Sequence, residues 1–150
     1  VGGGNTFVLL KTIYDLGLFK PLQDALKNGV LIWELVQAPT YVDQPFVPPM
    51  TCPIVYPPSF ESIGIVPFQI NPHFIDAEEN STHMGETRET RIAEYLYHNN
   101  TPVLGLREGS FIEIKGGSIT LKGPLSAPLF WSGSKKEELP TGSDLKIIGL

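Results

Sequence analysis

Apolar and polar positions fall into blocks whose period changes several times along the chain. In "NTFVLLKTIYDLG", Leu9, Leu10, Ile13 and Leu16 recur at helical spacing, Asn5-Thr6 can cap the start, and Gly17 stands as a stop. "FKPLQDALKNG" repeats that grammar, with Pro21 near a first turn and Gly29 after the last. "VLIW" is a short buried strand, and "SIGIVPFQI" is a second apolar run ending at Asn71-Pro72, where proline stops ladder pairing. After the polar loop "DAEENSTHMG", "ETRETRIAEYLYHNN" predicts an amphipathic helix with Ile92, Tyr95 and Leu96 inward and acidic residues in its first turn. "TPVLGL" is the next strand, and "SFIEIKGGSITLKG" alternates around Gly116-Gly117 as a hairpin does. "APLFWS" and "LKIIGL" are the final strands, separated by the polar "GSKKEELPTGSD". Early alternation of strands and helices predicts a parallel α/β sheet with an antiparallel β tail, in a single domain over residues 1–150.

The opening "VGGGNTF" has the look of a strand end entering a loop, which predicts that earlier elements of the fold precede it. The chain has 150 residues and a net charge of −5, with no basic run, so nucleic acid and anionic membranes are poor partners. Its one cysteine, Cys52, forms no internal disulfide and points to a reducing, cytoplasmic setting. No apolar run is long enough to span a bilayer, and no signal-peptide pattern is present. Seven of the 14 prolines lie between Pro39 and Pro58, and residues 29–50 offer neither a helix nor a reactive residue.

Several residues could carry chemistry. Gly2-Gly3-Gly4 could present backbone amides to an anion at a helix start, or could simply make a tight turn. His73 follows a buried strand, where parallel α/β sheets keep their sites, and could act as a general base. A lone histidine is more often structural. Asp76, Glu78, Glu79, His83 and Glu86 raise a metal site, but their spacing matches no compact ligand motif, and acidic loops are usually solvated. Arg88 and Arg91 stand at the start of a helix, against its dipole; they serve either a carboxylate ligand or intrahelical pairs with Glu89 or Glu94. No serine or cysteine occupies a strand–turn–helix elbow, and Ser59, Ser62 and Ser81 have no such context.

Together, "VGGGNTF", "FQINPHF", "STHMGETRETRIAEYL" and "TPVLGLREGS" resemble the alpha-aspartyl dipeptidase (dipeptidase E) family of serine peptidases, over nearly all of residues 1–131. That family is related to cyanophycinase and shares its fold with class I glutamine amidotransferases. The resemblance implies a three-layer, mostly parallel, flavodoxin-like sheet with an antiparallel C-terminal β hairpin. It also implies that the N-terminal βα units are missing and that this chain is the C-terminal portion of a peptidase domain. By resemblance His73 is the base, Gly3 or Gly4 contributes to the oxyanion hole, and Arg88 holds the acidic side chain of an N-terminal aspartate. No cofactor or metal is implied, and the substrate class is short acidic peptides. The resemblance sets no oligomeric state.

The nucleophile and the acid that orients the base then fall on Val36 and Thr51, neither of which can serve. Flanking similarity is high, yet residues 31–52 resemble the family nowhere, at preserved length. Two compensating frameshifts produce that pattern. Reading each codon one base earlier, the Trp33–Glu34 junction must give GGA, glycine, and the Met50–Thr51 junction must give GAC, aspartate. Between them the shifted frame permits Ser at 36, then Ala, Gly, Ala and Asn to position 40. The expectation is a serine-type dipeptidase, inactive as written. A non-catalytic pseudopeptidase that binds acidic peptides is the alternative, and a metal-dependent hydrolase the third.

Overall fold

The computed structural model describes residues 5–28, 54–61, 63–77 and 86–148. The chain divides into two compact units, one running to Val66 and the other starting at Pro67.

In the first unit, helix α1 (Thr6–Asp15) starts where Asn5 Oδ1 accepts the Phe7 and Val8 amides, at 3.0 and 3.3 Å. These are donors that a helix start leaves without partners. Its buried stripe is Phe7, Leu10 and Ile13. Leu16, expected inward, is instead the exposed C-cap residue, because the helix closes there: Leu18 N–H bonds Ile13 O at 2.9 Å and Gly17 N–H bonds Tyr14 O at 3.0 Å. Helix α2 (Phe19–Lys27) follows at once, with Pro21 in its first turn, where a missing N–H costs nothing. Gly29, its expected stop, lies outside the described residues, as does the "VLIW" strand. The segment 54–61 returns to this pair. Phe60 meets Phe7 edge-on at 6.4 Å between centroids, and Tyr14 Oη donates to Glu61 O at 3.0 Å.

The second unit is built on strands β1 (Gln69–Pro72) and β2 (Val103–Leu106), which pair in parallel across helix α3 (Arg88–His98). Thr87 caps α3 by accepting the Thr90 amide at 3.1 Å, and Ile92 and Leu96 are buried. Tyr95 lies on the flank of that stripe, half-buried. Every residue of β2 is buried, as is every residue of β5 (Ala127–Phe130), which pairs antiparallel with β2 on its other side. Between them runs the hairpin of β3 (Phe111–Lys115) and β4 (Ser118–Lys122), a separate two-stranded sheet whose turn sits where the pattern placed it. Gly116 and Gly117 have φ of 56° and 81°, the two positive values that a type I′ turn demands.

Four expectations about the strands need correction. "SIGIVPFQI" is not a strand along its length: only Gln69 and Ile70 of it join β1, because Pro67 cannot donate to a ladder. "LKIIGL" is not a strand either. Its residues Leu145–Ile147 form a 3₁₀ turn capped by Asp144, whose Oδ1 accepts the Lys146 amide at 2.9 Å, with Leu145 and Ile148 buried. The polar segment before it contains a strand, β6 (Glu137–Leu139), which pairs with β5 and buries only Leu139. Among the described residues the sheet β1-β2-β5-β6 is mixed rather than mostly parallel, because the chain leaves β2 through a hairpin instead of a crossover helix. No described helix is long and apolar enough to cross a membrane.

Candidate active site

The parallel register of β1 and β2 sets Pro72 opposite Leu106, so both strands end at one level and the residues after each emerge side by side. His73 comes from β1, and Arg107 and Glu108 from β2. Ends of parallel strands are where open α/β sheets place their ligands, since no further ladder occupies the backbone there.

His73 adopts φ +50°, the left-handed region that residues with a Cβ rarely enter. The turn lets the chain keep one more bond to β2, from Phe74 N–H to Leu106 O at 2.9 Å, while the imidazole swings clear of the strand. Phe74 is buried against Phe130 and against Gly105, where an added Cβ would fall 2.8 Å from the Phe74 ring and 2.9 Å from Pro128. Glycine at 105 is therefore what allows this ring, and the turn before it, to sit against β2.

The His73 Nδ1 lies 2.5 Å from Glu108 Oε2. A carboxylate can only accept, so Nδ1 carries the proton and the Nε2 lone pair of the neutral ring is left to take one. Both side chains remain open to solvent, at 52% and 80% exposure, so a substrate can reach them.

Arg88, the first residue of α3, reaches the same strand end. Its Nη1 lies 3.4 Å from both Asn71 Oδ1 and Pro72 O, and burial of the half-covered guanidinium lowers its pKa. Asn71 is fully buried, and its Nδ2 has no hydrogen-bond partner among the described residues. Arg91 pairs with Glu86, and Glu89 takes Lys136 at 2.6 Å.

Of the acidic loop, Asp76 binds Arg107 through both oxygens at 2.8 Å, while Glu78, Glu79 and His83 lie outside the described residues. Among the described residues no three metal-ligating side chains come together. Gly3, Gly4, Val36 and Thr51 also lie outside the described residues. Glu108 was missed by sequence reasoning. It stands in the plain view of "GLREGS", but its partner is 35 positions away and only the strand register joins them.

An α/β unit with a histidine–carboxylate pair at its strand ends has the architecture of many hydrolytic enzymes. Peptidase family S51 matches residues 1–122, and the chain belongs to this family of serine peptidases. It is 48% identical to Peptidase E of Streptomyces coelicolor over 99% of its length. It is 40% identical to the probable alpha-aspartyl dipeptidase of Drosophila melanogaster over 99% of its length, and 39% identical to Peptidase E of Citrobacter koseri over 95%. The chain spans 61%, 62% and 62% of the lengths of these three relatives.

Proposed function

We propose that His73 is the general base of a serine-type peptidase acting on short peptides with an N-terminal aspartate, and that Glu108 is the acid that orients it. The 2.5 Å contact between Nδ1 and the Glu108 carboxylate carries the proposal. In it, Nε2 takes the proton of an attacking serine hydroxyl and returns it to the leaving amine, while Glu108 stabilises the imidazolium formed between those steps. Arg88 neutralises the aspartate side chain of the substrate, and the amide of Gly3 or Gly4 faces the oxyanion. The name of the Drosophila relative supports the substrate class. No cofactor takes part, and the setting is cytoplasmic.

With Glu108 in this role, the orienting acid need not come from position 51. The nucleophile is still absent, because position 36 is valine. We infer that residues 31–52 are written in a shifted frame and that the chain as it stands does not turn over substrate. Hydrolysis of Asp-Leu by this chain, and by a version carrying the shifted-frame residues over 31–52, tests this directly. Turnover only in the restored version, abolished there by His73→Ala, is expected. Binding of Asp-Leu without turnover in both would instead identify a non-catalytic peptide-binding protein. Turnover lost on chelation would identify a metal-dependent hydrolase.

A further inference from the structure

We propose that Arg107 is a positioning residue: with Asp76 and Glu138 it clamps the turn that carries His73 to the end of β2, and so holds the imidazole Nδ1 on Glu108. The inference deepens the roles proposed above for His73 and Glu108 and rests on them.

Arg107 is the first residue beyond β2, and Glu108 the next. Its Nε and Nη2 each donate to one oxygen of Asp76, both at 2.8 Å, a bidentate fork onto the residue three places after His73. On the other side Nη1 donates to Ser126 O at 2.7 Å, to Ser126 Oγ at 3.1 Å, and to Glu138 Oε1, with Nη2 to Glu138 Oε2 at 3.3 Å. Ser126 Oγ donates to the same Glu138 oxygen at 2.5 Å, fixing the second carboxylate. One cation therefore ties the His73 turn, the β2 end and the β5–β6 pair.

Isolated surface ion pairs contribute little, because two mobile side chains must be ordered for a screened attraction. This one differs in kind. The side chain is 16% exposed, its fork bonds both Asp76 oxygens, and its Cζ lies 5.9 Å from the Phe74 ring centroid. Arg107 is held protonated far above its ordinary range, first by Asp76 and then by Glu138, and both acids are pulled below theirs. The His73 turn sits in a costly backbone region and is gripped at two points: the Phe74 amide on Leu106 O, and Asp76 on Arg107. Glu108 itself is largely exposed, so its meeting with His73 depends on those two chain segments being held in register.

Long-range proton–nitrogen NMR of the imidazole rings, on the full ¹⁵N-labelled chain, reads which nitrogen of neutral His73 carries the proton. The wild-type chain is expected to show the Nδ1–H form in majority, and Glu108→Ala to revert it to the Nε2–H form that imidazole prefers in water. Arg107→Ala and Asp76→Ala are expected to lower the Nδ1–H to Nε2–H ratio several-fold. Arg107→Lys should fail to rescue it, since an ammonium supplies charge without the fork. Because Arg107→Ala removes contacts on three segments and risks unfolding, Asp76→Ala, at a half-exposed side chain, provides the independent arm. A wild-type ratio in Asp76→Ala and Arg107→Lys, with Glu108→Ala reverted, would overturn the clamp and leave the His73–Glu108 pair standing. An unchanged ratio in Glu108→Ala would instead overturn the pair itself.

Discussion

Two of the turns that place residues at positive φ in the second unit do so by opposite means. The hairpin turn uses Gly116 and Gly117, at 56° and 81°, with nothing within 4 Å of where either Cβ would fall. The β1 end uses His73 at 50°, a residue with a Cβ, surrounded by packed and charged neighbours. The first turn is cheap and local. The second costs of order 1 kcal/mol and persists because its surroundings over-determine it. Strain kept at a residue that glycine could occupy more easily points to a role for the side chain.

Substitutions can separate the two. In a chain with the nucleophile restored, His73→Gly should relieve the backbone and leave the melting temperature unchanged or raised. It should also cut Asp-Leu turnover by at least about 10³-fold, the loss typical of removing a triad member. Retained turnover would mean that this turn, like the hairpin, is only architecture. Gly105→Ala should destabilise the second unit by about 1–3 kcal/mol, because the added methyl meets the Phe74 ring and Pro128 in a closed core. Denaturant unfolding measures that loss. Gly116→Ala should cost only about 1 kcal/mol, through φ strain alone, with turnover intact.

The smallest effect is in pH. Asp76 and Glu138 have folded pKa values below their unfolded references of 3.8 and 4.5, chiefly through hydrogen bonds from Arg107. Their contribution is therefore complete above the unfolded values and is lost as pH falls through the folded ones. Lys136, paired with Glu89 and 4.0 Å from Asp76, adds to the same field. Melting temperature should be flat from neutral pH to about 5 and decline below about 4, with a shallower decline in Asp76→Ala. Equal slopes would show that the clamp has no acid-labile share in stability.

Features closed within a few residues were legible in the sequence. Asn5 caps α1, Gly116-Gly117 turn the hairpin, and "VLGL" and "APLF" form strands because uniformly apolar runs suit positions buried on both faces. Features that depend on competition were not. "LKIIGL" is as apolar as a strand, but Asp144 caps a 3₁₀ turn there and Leu145 and Ile148 are already buried without a ladder. "EEL" is as polar as a loop, yet the free edge of β5 recruits it, and Glu138 faces the Arg107 cation.

The candidate site divides along the same line. Sequence alone determined the family and offered His73 and Arg88 as candidates, because motifs and their spacing are written in one dimension. It also marked position 36, a valine, as the place where the resemblance implies a nucleophile. Only the tertiary structure decided that the imidazole meets Glu108 and that Asp76 grips Arg107. Those partners lie 35 and 31 positions apart, and a parallel strand register, set by the burial of β1 and β2, is what brings them within hydrogen-bond reach.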